Sequence, residues 1–360
     1  MKANKTKRIL FHGDDFKSRI WGEELKKRFN YEVVERESQS LFSHLKIILL
    51  GFFNNRRIHV FLFRYLNDCA SLYESSLHLI RDILIVALCK ILRVKIFWIL
   101  HNIDRETQQY HPILTGIKRK IIYLASKKVF VTDPNLVEVA TEYGIEKEKI
   151  DWICFGKPPR EAPDQKNIDL KKKIIAFKKQ LQNHVNSTVY LGLCVSRPAR
   201  KKLHYLKAPA IVGMSKIINQ GCVGLIMIGK FPEGRNFDRA KRKAEKSPYI
   251  LLIEDSFPVN EPLISNEIDF FYRSLNDQSV AYTLYVATDV KKPVITHREG
   301  ALPILIEKEQ LGFTIDENEE DVPDSIIRSI HSWKKEGAEK FLKIRSWKVA
   351  AERLNKAVEN

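Results

Sequence analysis

No apolar run in this 360-residue chain approaches the ~20 residues that a bilayer-spanning helix requires. Runs such as Ile47–Phe53 and Ile83–Cys89 hold seven residues each. No secretory signal is expected at the start, where the basic MKANKTKRILFHG leads into a short strand rather than a long apolar stretch. The sequence has no C-x-x-C pair and no His pairing at metal-ligand spacing. Its five cysteines (Cys69, Cys89, Cys154, Cys194, Cys222) are an odd number scattered mostly in apolar stretches. They read as reduced core thiols of a cytosolic protein, which excludes a disulfide framework. Zinc-finger spacing, an RNP-like aromatic strand and an Arg/Gly-rich tail are also missing, so only charge favours nucleic acid. G-x-G-x-x-G is absent, which removes the dinucleotide fingerprint. No solenoid-period repeat and no low-complexity tract occurs.

Acidic residues are the scarce sign: 44 Asp and Glu stand against 61 Lys and Arg, a net charge of +17 with a pI near 9.5. Such a surplus attracts polyanions, whether nucleic acid, anionic lipid headgroups or phosphorylated substrates. Hydrophobic residues make up 44%, enough for a sizeable core, and the length favours two domains.

Strand-like and helix-like stretches alternate throughout. In the first half, strands are expected at Arg8–His12, Tyr31–Val34, His59–Phe63, Val94–Leu100, Lys128–Thr132 and Lys149–Phe155. Helices fall between them, near 18–29, 40–53, 75–92, 113–125 and 135–143. Continuous runs such as KIFWIL read as parallel strands buried on both faces, and the alternation as βαβ units of a doubly wound α/β sheet. The Pro-rich segment Gly156–Lys166 reads as a linker, followed by a charged helix over 170–184. The alternation then restarts, with strands at Thr188–Val195, Gly224–Gly229, Tyr249–Ile253, Asp269–Tyr272, Pro293–Thr296 and Gly312–Ile315. Helices are expected near 205–219, 236–246, 279–289, 303–310 and 321–336, and a last basic helix over 339–358. The division expected is 1–165, 166–338 and 339–360.

Ligands of open parallel sheets bind beyond the carboxyl ends of the strands. Three such loops stand out. After the first strand comes His12-Gly13-Asp14-Asp15, where glycine permits close backbone approach and the aspartates orient hydroxyls or accept a proton. The same residues also suit a turn and a helix N-cap. After the fourth strand comes His101-Asn102-Ile103-Asp104-Arg105-Glu106. A histidine there suits donation to a phosphate or sugar oxygen, or acid–base work near neutral pH. After the first strand of the second half, Arg197, Arg200, Lys201 and Lys202 put four cations within six residues, a pattern suited to a diphosphate.

Four stretches carry a family resemblance: VKIFWILHNIDRE, WICFGK, VSRPARKK and KPVITHREGALPILIEKEQLGFTID. Together they resemble the GT-B glycosyltransferases, particularly bacterial enzymes that build capsule, exopolysaccharide or lipopolysaccharide. The third is similar to that family's R-x-x-x-x-K phosphate motif, matched here by Arg197 and Lys202. The resemblance implies two Rossmann-like domains facing a cleft, an acceptor held mainly by the first and a nucleotide-sugar donor held mainly by the second. The last helix would pack back on the first domain. Arg197 and Lys202 would grip the donor diphosphate, Asp255, Ser256 and Phe257 would meet the nucleobase, and Gly300 would edge the donor pocket. His101 would face the transferred sugar, and Gly13 would let the backbone approach donor or acceptor. The family's paired glutamates are absent from SLNDQSVAYTLYVATDVKKPVI, which offers Asn276, Asp277, Ser279 and Thr283 instead. An inverting reaction then needs a base from Asp14, Asp15, His101, Asp104 or Glu106. The expected chemistry is hexosyl transfer in surface polysaccharide biosynthesis with no metal and no cofactor, the nucleotide-sugar being substrate. The rival readings are a non-catalytic partner subunit of the same shape and a nucleic-acid-binding protein.

Leu41–Phe53 is apolar on most faces and is followed by Arg56 and Arg57. It reads either as a helix meeting an anionic membrane or as a helix buried in the core, and the net charge favours the membrane. The expected place is the cytoplasmic face of a cell membrane, with a lipid-linked or saccharide acceptor.

Overall fold

Short runs rich in β-branched and aromatic residues become strands buried on both faces, as in β4, where Ile96–Leu100 are all nearly inaccessible. The computed structural model describes residues 6–34, 40–106, 109–160, 162–199, 201–216, 221–316 and 321–360. The chain divides into two units, one of Met1–Gly156, Gln278–Val280 and Arg345–Asn360, the other of Lys157–Asp277 and Ala281–Ile344.

In the first unit β1 (Lys7–Phe11), α1 (Phe16–Phe29), β2 (Tyr31–Val34), α2 (Ser43–Phe53), β3 (Val60–Phe63) and α3 (Leu72–Ile91) come first. β4 (Lys95–Leu100), α4 (Pro112–Ala125), β5 (Lys128–Val131), α5 (Leu136–Glu142) and β6 (Ile150–Trp152) follow. The six strands form one parallel sheet in the order β2-β1-β3-β4-β5-β6. Right-handed crossovers put α1 on one face and α2, α3 and α4, packed side by side, on the other. Side-chain caps start several helices: Asp15 accepts from Ser18 N in α1 and Ser71 from Glu74 N in α3.

The second unit begins with α6 (Gln165–Val185), β7 (Val189–Val195), α7 (His204–Ile211), β8 (Gly213–Met214), β9 (Cys222–Ile228) and α8 (Arg235–Lys246). It continues through β10 (Ile250–Ile253), α9 (Glu261–Ile264), β11 (Phe270–Tyr272), α10 (Thr283–Asp289) and β12 (Val294–His297). It ends with α11 (Leu302–Lys308), β13 (Gly312–Ile315), α12 (Val322–Ser332) and α13 (Glu336–Ile344). Its parallel order is β10-β9-β7-β11-β12-β13, with β8 antiparallel on β9. One core cluster joins Tyr205, Leu225, Phe270 and Ile326 across these layers.

The twelve strands read from the sequence are present, and four local expectations change. The helix expected over 205–219 ends at Ile211, because Pro209 interrupts its hydrogen bonding and Gly213 turns the chain into β8 at φ 142°. The helix expected from Ser279 begins at Thr283. The four-residue α9 was not anticipated. The last basic helix is two: it breaks at Arg345, whose buried guanidinium forks onto Asp133 at 2.6 and 3.2 Å. Ser346 then caps α14 (Trp347–Glu359), which packs against α1 in the first unit. α2 is half of each alternative: His44, Ile48 and Gly51 are buried while Leu49, Leu50, Phe52 and Phe53 are exposed. No helix among the described residues is long and apolar enough to cross a membrane.

Candidate functional site

Each sheet reverses its strand order once, between β1 and β3 in the first unit and between β7 and β11 in the second. Such reversals open a crevice at the strands' carboxyl ends, where ligands of this class of sheet bind. The charged loops singled out in the sequence flank these two points.

In the first unit, β1 delivers His12–Asp15, β3 delivers Arg64 and β4 delivers His101. Arg64 is fully buried, its guanidinium 4.9 Å from both the Trp21 and Tyr65 rings. It forks onto Asp15 at 2.5 and 3.1 Å and meets His101 Nε2 through Nε at 3.1 Å and Nη2 at 3.0 Å. A guanidinium has no acceptor, so Nε2 accepts and the imidazole proton resides on Nδ1. Tyr65 stacks on the His101 ring at 4.1 Å. Asp15 also caps α1, accepting Ser18 N at 2.9 Å. Burial would raise its pKa, but the charge and hydrogen bonds of Arg64 and the Ser18 amide outweigh this and hold the carboxyl below its ordinary value. Arg64 was not singled out in the sequence, although a cation directly after the apolar run VFLF was the available signal.

Asp14 is largely exposed, 3.8 Å from Arg19. At Gly13 an added Cβ would meet nothing within 4 Å, so packing does not require glycine there. Both residues line a cavity of about 340 Å³ with His12, Arg19, Lys26 and His44. The loop after β4 is tied down: Asp104 accepts Gln278 N at 3.1 Å, and Asn102 bridges to Ser279. Ser279, expected beside Asn276 in the donor pocket, thus belongs to the first unit. Glu106 is buried, bonded to Arg119 at 2.6 Å and to Leu66 N at 3.1 Å. Burial raises its pKa in spite of Arg119.

In the second unit β7 ends in Ser196 and the exposed Arg197, and β11 ends in Arg273. Arg273 Nη1 donates to Val195 O at 3.1 Å and Ser196 Oγ at 2.8 Å, while its buried Nε has no partner among the described residues. Lys202 Nζ donates to Arg197 O. Burial, then repulsion from Arg273 and Lys201, pushes the Lys202 ammonium down to about 6. Asp277 holds Lys201, and among the described residues no carboxylate pairs with Arg197, Lys202 or Arg273. Arg200 lies outside the described residues. Arg197 and Arg273 thus stand together with no carboxylate at ion-pair distance among the described residues, Asp277 being engaged by Lys201. Only topology reveals Arg273 as a member, since β11 adjoins β7 across 74 intervening residues.

Gly300 sits at φ 66°, and a Cβ there would lie 2.4 Å from Asp277 O. The turn lets Ala301 N reach Asp277 O at 3.1 Å, and Asn276 N in turn donates to Lys201 O at 3.1 Å. Arg197, Lys202, Asn276 and Gly300 are therefore carried by loops bonded to one another. Asp255, Ser256 and Phe257 follow β10, two strands from β7. Asp255 pairs with Lys166 at 3.2 Å, whose ammonium lies 5.7 Å from the Phe257 ring. Among the described residues no three His, Cys, Asp or Glu side chains gather as a metal ligand set.

No protein-family model and no curated protein sequence matches this chain. Solved structures match its fold along nearly its full length. Anabaena HepE with UDP is 13% identical, with 98% of this chain and 100% of that one covered at a TM-score of 0.63. The lipopolysaccharide outer core galactosyltransferase WaaB is 10% identical over 98% and 99%, TM-score 0.59. Sucrose-phosphate synthase of Thermosynechococcus elongatus is 12% identical over 98% of each chain, TM-score 0.59. With two parallel sheets of these strand orders and this full-length likeness, the chain has the GT-B fold of glycosyltransferases.

Proposed function

We propose that this protein transfers a hexosyl group from a nucleotide-sugar donor to a saccharide or lipid-linked acceptor, beside an anionic membrane, in surface polysaccharide biosynthesis. The observation that carries the reading is the cluster of Arg197, Lys202 and Arg273, which has no carboxylate ion pair among the described residues, at the strand-order reversal of the second sheet. A diphosphate supplies the missing charge, and forked guanidinium contacts suit its oxygens. HepE, of the same fold, has been solved with UDP and with UDP-glucose.

In this reading the second unit holds the donor, with Asn276 and Gly300 along the pocket and Asp255–Phe257 toward the base. The first unit holds the acceptor in the cavity beside Gly13. Attack of the acceptor hydroxyl on the anomeric carbon forms the new C–O bond as the bond to the diphosphate breaks. Side-chain cations hold the charge that develops on the departing phosphate. Asp14, solvated beside the cavity, takes the hydroxyl proton. Asp15 stays ionised to hold Arg64, and Arg64 in turn fixes the ring of His101, which faces the transferred sugar.

The deciding experiment combines calorimetry against nucleoside diphosphates with turnover on saccharide acceptors. Selective binding lost in Arg197→Ala, together with sugar transfer, supports the proposal. Binding without transfer to any acceptor leaves the non-catalytic partner subunit. No nucleotide binding beside tight nucleic-acid binding overturns the reading.

A further inference from the structure

The helices α3 and α4 bury charged and polar side chains beside a few apolar ones (Ile85, Val86, Cys89 and Ile122) and turn a larger apolar set outward. α4 buries Thr115 and Lys118 while exposing Ile113, Ile117 and Leu124 at 80%, 43% and 61%. α3 buries Ser75, Arg81 and Asp82 and exposes Tyr73, Ile80, Leu84 and Ile91. At 100° per residue those four fall on one stripe within ~40°. Phe42, Leu49 and Phe53 form a similar stripe along α2. The buried charges gather on one another: Asp82 meets Arg81 at 2.6 Å, His12 at 3.5 Å and Lys118 at 3.7 Å. Of 22 large hydrophobic side chains exposed among the described residues, 15 lie between Phe42 and Leu124. A folded core has no use for apolar residues on its outer side, and a patch of this extent marks an interaction surface.

We propose that the outer face of α2, α3 and α4 docks on an anionic lipid bilayer. This deepens the membrane-side reading above, and extends it from one helix to a three-helix platform. Charge selects the occupant. α2 and α4 contain no acidic residue, and α3 carries only Glu74 and the buried Asp82. Exposed cations surround the apolar stripes: Lys46, Lys90, Arg93, Lys120 and Lys127. A second copy packed on this face would set cation against cation. A bilayer supplies an apolar layer and, at its surface, negative headgroups.

The test is flotation of the full chain with phosphatidylcholine vesicles, with and without phosphatidylglycerol, at low and high salt. The protein is expected to float with the anionic vesicles and to be partly released by salt. The triple variant Ile113→Gln, Ile117→Gln, Leu124→Gln, which leaves α2 intact, is expected to partition about tenfold more weakly at an unchanged melting temperature. Flotation of that variant equal to the parent, or no flotation of the parent, overturns the platform. So does a concentration-dependent dimer that the variant dissociates and vesicles do not displace. Nucleoside diphosphate binding, measured alongside, reports separately on the donor site, so loss of one result leaves the other legible.

Discussion

At the scale of residues, the two candidate sites are governed by cations that need partners. Arg273 was hidden in the sequence, yet its two bonds tie it to the end of β7, beside Arg197. Arg273→Met is expected to weaken nucleoside diphosphate binding by about 1.5–3 kcal/mol, the range for a charged hydrogen bond, in a calorimetric titration. Lys202 gives a pH signature. In the free protein its ammonium is depressed to about 6, so a bound diphosphate draws a proton onto it. Titrations at pH 8 in two buffers of different ionisation enthalpy are expected to show net proton uptake, absent in Lys202→Met. The sign for folding follows from the same depression: between about 6 and the ordinary lysine range the unfolded chain binds more protons, so this group's contribution to stability rises with pH. Arg64 is the counterpart in the first unit. Arg64→Met removes the donor to Asp15 and His101 together and is expected to cost about 3–5 kcal/mol in denaturant unfolding.

At the scale of elements, the ends of α14 and the loop after β12 show how little margin the fold leaves. Ser346 Oγ accepts Val349 N at 3.2 Å, so Ser346→Ala is expected to cost about 1 kcal/mol, read from the unfolding midpoint at constant m-value. The glycine at 300 combines φ 66° with backbone oxygens of the neighbouring loop that would lie 2.4 and 2.8 Å from an added Cβ. The glycine at 13 has open space, and Gly13→Ala is expected to leave the melting temperature in place while raising KM for the acceptor. The contrast explains why one glycine is a folding residue and the other a candidate binding residue, though the sequence shows both simply as glycine after a strand. Elements were legible wherever apolar runs were continuous, as in KIFWIL and CVGLIMI. They were misjudged where a long-range contact intervened: Arg345 finds Asp133, and Ser279 pairs with Asn102. No local pattern encodes either meeting.

At the scale of the whole molecule, the chain leaves the first unit at Gly156, rejoins it briefly at Gln278–Val280 and returns to it again at Arg345. Removal of residues 345–360 takes away the Arg345–Asp133 fork and the buried Ala350, Ala351 and Leu354. Calorimetric scanning is expected to show a weakened first-unit transition while nucleoside diphosphate still raises that of the second unit. The sequence by itself determined the α/β class, the twelve parallel strands and the loops at their carboxyl ends, because strand burial and alternation are local patterns written in side-chain type. It also marked Arg197 and Lys202. Tertiary structure alone decided that Arg273 joins them, that Arg64 links Asp15 to His101, and that the apolar stripes of three helices share an outer face. Those facts depend on which strands become neighbours and which side of each helix meets the sheet, and strand order is set by packing between segments far apart in the chain.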